Sequence, residues 1–248
     1  MKRFFLIFIT ASLFTACKKE TSSANINSGG TKSDTSNIIN QPISGFGLNV
    51  TDIDGNSYKT VYIGKQHWMA ENLKVSKYND GTIIPNVTDG NKWYKLSSGA
   101  WIHYDNDLGN NSKYGKLYNW FSVNTTTNGD KNLCPTGWHV PKDSEWSVLT
   151  TYLGGDSLAG GKMKEAGISK WKSPNLLATN SSLFNGLPGG GKGNEINFRF
   201  IDSCGIWWSS TELNLSRARF LGLKYSDGYA FRGHDNKNDG YSVRCIKD

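Results

Sequence analysis

The chain has 248 residues, a net charge of +7, 28 glycines and nine tryptophans. Its basic residues form no Lys/Arg cluster of the kind that grips a phosphate backbone, which excludes nucleic acid as a partner. No apolar run reaches the roughly 18 residues of a membrane-crossing helix.

The first residues read as a targeting segment. Lys2 and Arg3 precede an apolar stretch over 4–14 broken only by Thr10 and Ser12. That stretch is too short to span the bilayer and fits the core of a signal peptide. Phe14-Thr15-Ala16-Cys17 resembles the lipobox of bacterial lipoproteins. The resemblance implies cleavage after Ala16 and lipid on Cys17, although Phe14 departs from the usual Leu. Residues 1–16 are therefore expected to be a signal peptide, and 17–44 a lipidated Cys with a tether. The tether is rich in Ser, Thr, Asn and Gly and cannot bury enough surface to offset its ordering entropy. A flexible coil of this length reaches about 30 Å. The expected location is the bacterial cell envelope, most naturally the outer membrane, with the membrane as partner through Cys17.

Residues 45–248 are expected to be a single domain. Asp54-Gly55 marks a tight turn between strands, and 58–63 alternates as a strand should. Residues 66–69 continue as the next strand. Residues 78–115 read as long loops held by Trp93 and Trp101. Residues 117–121 are strand or short helix. The clearest helix lies at about 142–153, with Asp143 or Ser144 in its first turn and Trp146, Leu149 and Leu153 on one face. Gly154-Gly155 ends it. A second short helix over 156–165 is weakened by Gly160-Gly161. Strands and turns follow from 198.

Setting Cys17 aside, the domain has Cys134, Cys204 and Cys245, and export favours a disulfide. Cys134 with Cys245 is the expected pair, leaving Cys204 a free thiol beside Trp207. Cys204 with Cys245 is the rival.

Chemical motifs are sparse. Gly186-Leu187-Pro188-Gly189-Gly190-Gly191-Lys192-Gly193 has the spacing of a phosphate-binding loop but lacks its Ser/Thr, so it reads as loop and turn. Asp52, Asp54 and Asn56 begin like a calcium loop without its Gly or Glu and read as a hairpin turn. No nucleophile–base or zinc-protease signature occurs, and no enzymatic activity is expected. Trp93, Trp101 and Tyr104, in the predicted long loop, are the candidate ligand-binding residues, because a sugar can stack on an exposed ring. Packing is the competing role for each.

Several segments together are similar to one family. They are Tyr62-Ile63-Gly64-Lys65-Gln66-His67-Trp68-Met69-Ala70-Glu71-Asn72-Leu73, Tyr114-Gly115-Lys116-Leu117-Tyr118-Asn119-Trp120, and Cys134-Pro135-Thr136-Gly137-Trp138-His139-Val140-Pro141. Trp207-Trp208-Ser209-Ser210-Thr211-Glu212 and Ser242-Val243-Arg244-Cys245 complete the set. In this order they resemble the Fibrobacter succinogenes major paralogous domain family. More distantly, Val140-Pro141-Lys142-Asp143-Ser144-Glu145-Trp146 and Gly240-Tyr241-Ser242-Val243-Arg244-Cys245 are similar to formylglycine-generating-enzyme-like domains. That likeness implies an α+β, C-type-lectin-like fold: a small twisted antiparallel sheet, about two helices and long structured loops. It suits a bridge from Cys134 to the terminal strand at Cys245. It also implies calcium as the one conceivable cofactor, with loop oxygens from Asp105, Asp107, Asp235 and Asp239. The functional expectation is a non-catalytic module that binds an extracellular or envelope protein or a glycan. The alternatives are an oxidase of the formylglycine-generating type, needing a reduced thiol pair, or a passive structural component.

Overall fold

The structure, a computed structural model, describes residues 45–126, 128–193 and 197–248. The signal peptide, Cys17 and the tether lie outside these residues. No helix among the described residues is long and apolar enough to cross a membrane.

The chain opens as a meander of β1 (Gly45–Thr51), β2 (Ser57–Ile63) and β3 (Gln66–Met69). The β1–β2 turn is the expected hairpin, not a calcium loop. Asp52 Oδ1 accepts from the backbone N–H groups of Asp54 and Asn56 at 3.0 and 2.9 Å. Its Oδ2 accepts from Asn56 Nδ2 at 2.9 Å and the Tyr58 hydroxyl at 2.6 Å. A carboxylate so engaged has no room for a cation.

The predicted loop region holds more structure than its composition suggests. It carries α1 (Gly90–Tyr94), β4 (Trp101–Ile102), a 3-10 turn over Tyr104–Asn106 and α2 (Gly109–Tyr114). Each is too short to show a hydrophobic period. Asp89 makes α1 start, accepting from Asn91 N and Lys92 N at 2.8 and 3.1 Å. Then come β5 (Leu117–Asn119) and α3 (Trp120–Val123), so the aromatic cluster is both strand and helix.

After β6 (Trp138–His139) come the two expected helices, α4 (Asp143–Tyr152) and α5 (Asp156–Met163). Trp146, Leu149 and Leu153 are buried along one face of α4, as their spacing requires. Gly154 and Gly155 take φ of 98° and 90°, a conformation that ends helices. The two glycines inside α5 have a packing reason. A Cβ on Gly160 would lie 2.5 Å from the Tyr229 backbone, and one on Gly161 2.4 Å from Leu177 O. Helix propensity is given up there for close approach.

The remainder is β7 (Gly189–Lys192), β8 (Phe198–Ile201), β9 (Cys204–Glu212), β10 (Arg217–Lys224), β11 (Ala230–Asn236), β12 (Gly240–Tyr241) and β13 (Ile246–Lys247). The glycine run expected as loop and turn is instead β7, buried throughout. Lys192 pairs with both Phe198 and Gly240. A Cβ on Gly191 would stand 2.5 Å from the Tyr241 ring. Glycine admits a crowded strand here and forms no phosphate cradle.

Over the described residues the architecture is mixed α/β with five α-helices and three sheets, ordered β1-β2-β3-β13-β6, β11-β10-β9 and β4-β5-β12-β7-β8. Every ladder between these strands is antiparallel. One core packs Tyr58, Met69, Trp120 and Trp208 around the bridge region. A second packs Val61, Trp68, Trp146 and Trp207 beneath α4 and α5. A third, smaller one holds Trp93, Ile102 and Tyr104. Cys134 and Cys245 are joined by a disulfide with a Cα–Cα distance of 5.9 Å, and Cys204 is buried and stands outside that bridge. The rival pairing is excluded.

Candidate functional site

The residues of the recurring motifs converge in the interior. Asn72 is their hub. Its Nδ2 donates to Tyr114 O at 2.8 Å and Ser242 Oγ at 3.2 Å. Its Oδ1 accepts from Trp207 Nε1 at 2.8 Å and Arg244 Nε at 2.9 Å. Four bonds exhaust what an amide side chain offers. Arg244 is wholly buried and has no carboxylate bonded to it. Its other nitrogens donate to Phe184 O and, at 2.8 Å, to Asn185 O. Its guanidinium lies 4.1 Å from the Phe184 ring centre. Burial pushes its pKa down to about 9, so it stays a cation at neutral pH. These residues lock segments from five parts of the sequence together. They are scaffold, closed to any ligand.

The model of the Fibrobacter succinogenes major domain matches residues 61–247, an interval that contains every one of these motif residues. The chain belongs to this family. Comparison with the curated proteins and with the solved structures finds no match. The major-domain motifs, placed in space, therefore account for the fold, and the open candidate surface lies elsewhere.

That surface is an open groove of about 450 Å3, lined by Ile168–Ser173 on one side and Ile201–Ser203 on the other. Both walls are held firmly. The first belongs to the segment between α5 and β7, anchored from inside by Lys164, whose relative exposure is 0%. The three protons of its ammonium meet three carbonyls: Leu176 O, Lys224 O and Asp227 O, at 2.8, 2.9 and 2.7 Å. Burial pushes Lys164 down to about 8, with the Asp227 charge opposing. Asn175 Nδ2 donates to Glu165 O and Gly167 O, and Trp171 Nε1 to Gly186 O at 3.0 Å. Leu177, Leu183 and Phe200 take φ of 61°, 59° and 68°, which bulky side chains seldom adopt. Such backbone persists only where surroundings over-determine it, and it concentrates at functional sites.

Lys164→Met is expected to leave three part-buried carbonyls without their donor and cost about 1–3 kcal/mol. Amide hydrogen exchange should show faster exchange confined to 165–185, and unchanged protection there would refute the anchoring role.

The candidates named from sequence lie elsewhere. Trp93 has no exposed surface, and its indole N–H donates to Asn238 O at 2.6 Å. Tyr104 is buried against Phe198 at 5.1 Å. Trp101 is half-buried, bonded through Nε1 to Ile84 O, with the Lys116 ammonium 4.4 Å over its ring and His103 at 5.0 Å. Trp93 and Tyr104 belong to the third core and Trp101 packs against the first, so the expected exposed stacking face is corrected to packing. Asp105 and Asp107 are exposed, and Asp107 Oδ1 accepts from Gly109 N at 2.8 Å. Asp235 accepts from the Tyr241 hydroxyl at 2.8 Å, and Asp239 is buried near Lys192. Among the described residues no three His, Cys, Asp or Glu gather as a metal site requires. The calcium expectation for these four aspartates finds no support in that geometry.

His139 belongs to the motif over 134–141. It lies between two carboxylates, with Nδ1 2.6 Å from Asp248 and Nε2 2.9 Å from Glu145. Glu145 raises its pKa above the ordinary 6.5, desolvation opposes, and Asp248 adds to the rise. A raised folded-state value makes this contribution complete below pH 6.5 and lost as pH climbs through the folded pKa. Urea midpoints are expected to fall modestly from pH 6 to pH 8. His139→Gln should flatten that slope, and an unchanged slope would remove His139 as its source.

Proposed function

We propose that this chain is an exported envelope protein, anchored through acyl chains such as palmitate on Cys17, whose domain binds a protein or glycan without catalysing a reaction. The expected placement is the outer membrane, with the tether holding the domain off the lipid. The finer fold proposed is C-type-lectin-like. It is supported by β1 and β13 sharing one antiparallel sheet, by the two main helices, and by a bridge reaching the terminal strand region. The observation that carries the binding reading is the groove at 168–173 and 201–203, with both walls rigid. The oxidase alternative needs two reduced cysteines together. Cys134 and Cys245 are bonded to each other, so among the described residues Cys204 has no second reduced cysteine to work with and nothing favours this alternative.

Metabolic labelling with palmitate tests the anchor. Label and membrane retention are both expected to vanish in Cys17→Ser, and retention without label would sink the lipid reading. For binding, the full-length chain in detergent would be tested against envelope proteins and a glycan array, with calcium and with chelator. Silence in every arm would leave the passive structural component.

A further inference from the structure

The groove's chemistry narrows its ligand. Six of its nine lining residues are polar: Ser169, Lys170, Lys172, Ser173, Asp202 and Ser203. Trp171 lines it as well, but its side chain is buried, so no broad aromatic face is offered. Ile168 and Ile201 supply small apolar contacts.

A peptide partner would need free backbone or a deep apolar pocket. Neither is present at the 202–203 wall. Asp202 N donates to Pro188 O at 3.0 Å, and Asp202 O accepts from Lys172 N at 2.7 Å. Ser203 N donates to Phe200 O at 3.1 Å, and Ser203 O accepts from Tyr225 N at 3.0 Å. Every main-chain group there is committed, so a strand cannot add to it.

A strongly anionic ligand is also a poor fit. Lys170 is already paired with Glu165 at 2.7 Å, and Asp202 brings its own negative charge. What remains is a mixed set held in place by neighbours. The Asp202 carboxylate accepts through Oδ1 from the Tyr114 hydroxyl at 3.1 Å, and its Oδ2 can still accept. The Lys172 ammonium lies 5.3 Å over the Tyr225 ring. Of the serine hydroxyls, Ser203 Oγ donates to Phe200 O at 3.1 Å and can still accept. A ligand hydroxyl can donate to the carboxylate while accepting from an ammonium or serine, and a polyol presents many such groups. The volume falls within the range of small-ligand sites.

We infer that this groove takes a neutral saccharide chain, with Asp202, Lys172 and the three serines as its hydrogen-bonding set. This rests on the binding-module reading above and names its ligand class.

The test is calorimetric titration of the full-length chain in a detergent without sugar headgroups. The probes are neutral hexose oligosaccharides, a uronate oligosaccharide and an unstructured peptide. The variants are Asp202→Asn, which suits the φ of 62° at that position, and Lys172→Gln. Leu48→Ser, on the exposed edge strand β1, is the control. A neutral oligosaccharide is expected to bind, and each groove variant to weaken it tenfold or more at unchanged Tm. Leu48→Ser should bind as wild type. Preference for uronate or peptide, lost in the groove variants, would overturn the ligand class and keep the site. Saccharide binding that neither variant weakens would overturn the site and keep the module. If no probe binds, both readings fall.

Discussion

Arg244→Lys is expected to cost about 3 kcal/mol and lower Tm by roughly 6–12 °C. The substitution keeps the charge and loses the geometry. A guanidinium spans Asn72 Oδ1, Phe184 O and Asn185 O with a planar fork that also lies on the Phe184 ring. An ammonium is a compact donor that cannot reach all three in one plane. Arg244→Ala should be worse, at about 5 kcal/mol, because it adds a cavity and leaves buried acceptors bare. Asn72→Ala strands the Arg244 and Trp207 donors together, so it should couple strongly to either change. Thermal denaturation of the three variants and the relevant doubles measures this. Arg244→Lys within 1 kcal/mol of wild type, or additive doubles, would show that the hub is not a unit.

The second large effect is expected from the disulfide. Cys134 and Cys245 stand 111 positions apart, and closing such a loop stabilises by about 4–5 kcal/mol in the chain-entropy picture. Replacing both cysteines with serine should lower the urea midpoint accordingly. Both sites are buried, so the serine hydroxyls add a smaller cost of their own. Adding reductant to wild type should move its midpoint toward that of the double variant, and a reductant-insensitive midpoint would contradict the prediction.

Legibility in the sequence followed the length of the signals. α4 was readable because Trp146, Leu149 and Leu153 repeat over two turns, with Gly154-Gly155 behind them. The hairpin at Asp52–Asn56 was readable because side-chain oxygens and glycine write the turn locally. β7 was not, since Gly189–Lys192 carries no strand propensity and is a strand only because Tyr114, Tyr241 and the β8 backbone crowd it. Trp93 and Trp101 misled for a related reason. Loop composition suggests exposure, yet these loops fold over their own tryptophans. The groove left almost no trace, because serines and lysines in a loop look like ordinary surface. Its one signal was indirect. Lys164, read as part of a helix tail, is a buried cation that organises the loop from within.

The sheet orders carry a consequence for how the molecule is made. Residues 240–248 supply β12 and β13, and each is an interior strand of a five-stranded sheet. β13 fits between β3 and β6, so the amino-terminal meander waits for nearly 180 residues of synthesis before its neighbour exists. Contacts of such long sequence separation form slowly. Until they form, neither sheet is complete, Arg244 has not reached Asn72, and Cys134 has no partner. Hub, bridge and both sheets are thus sealed by one short stretch made late. Topology thus keeps the chain loose until that stretch arrives, which suits the export proposed above.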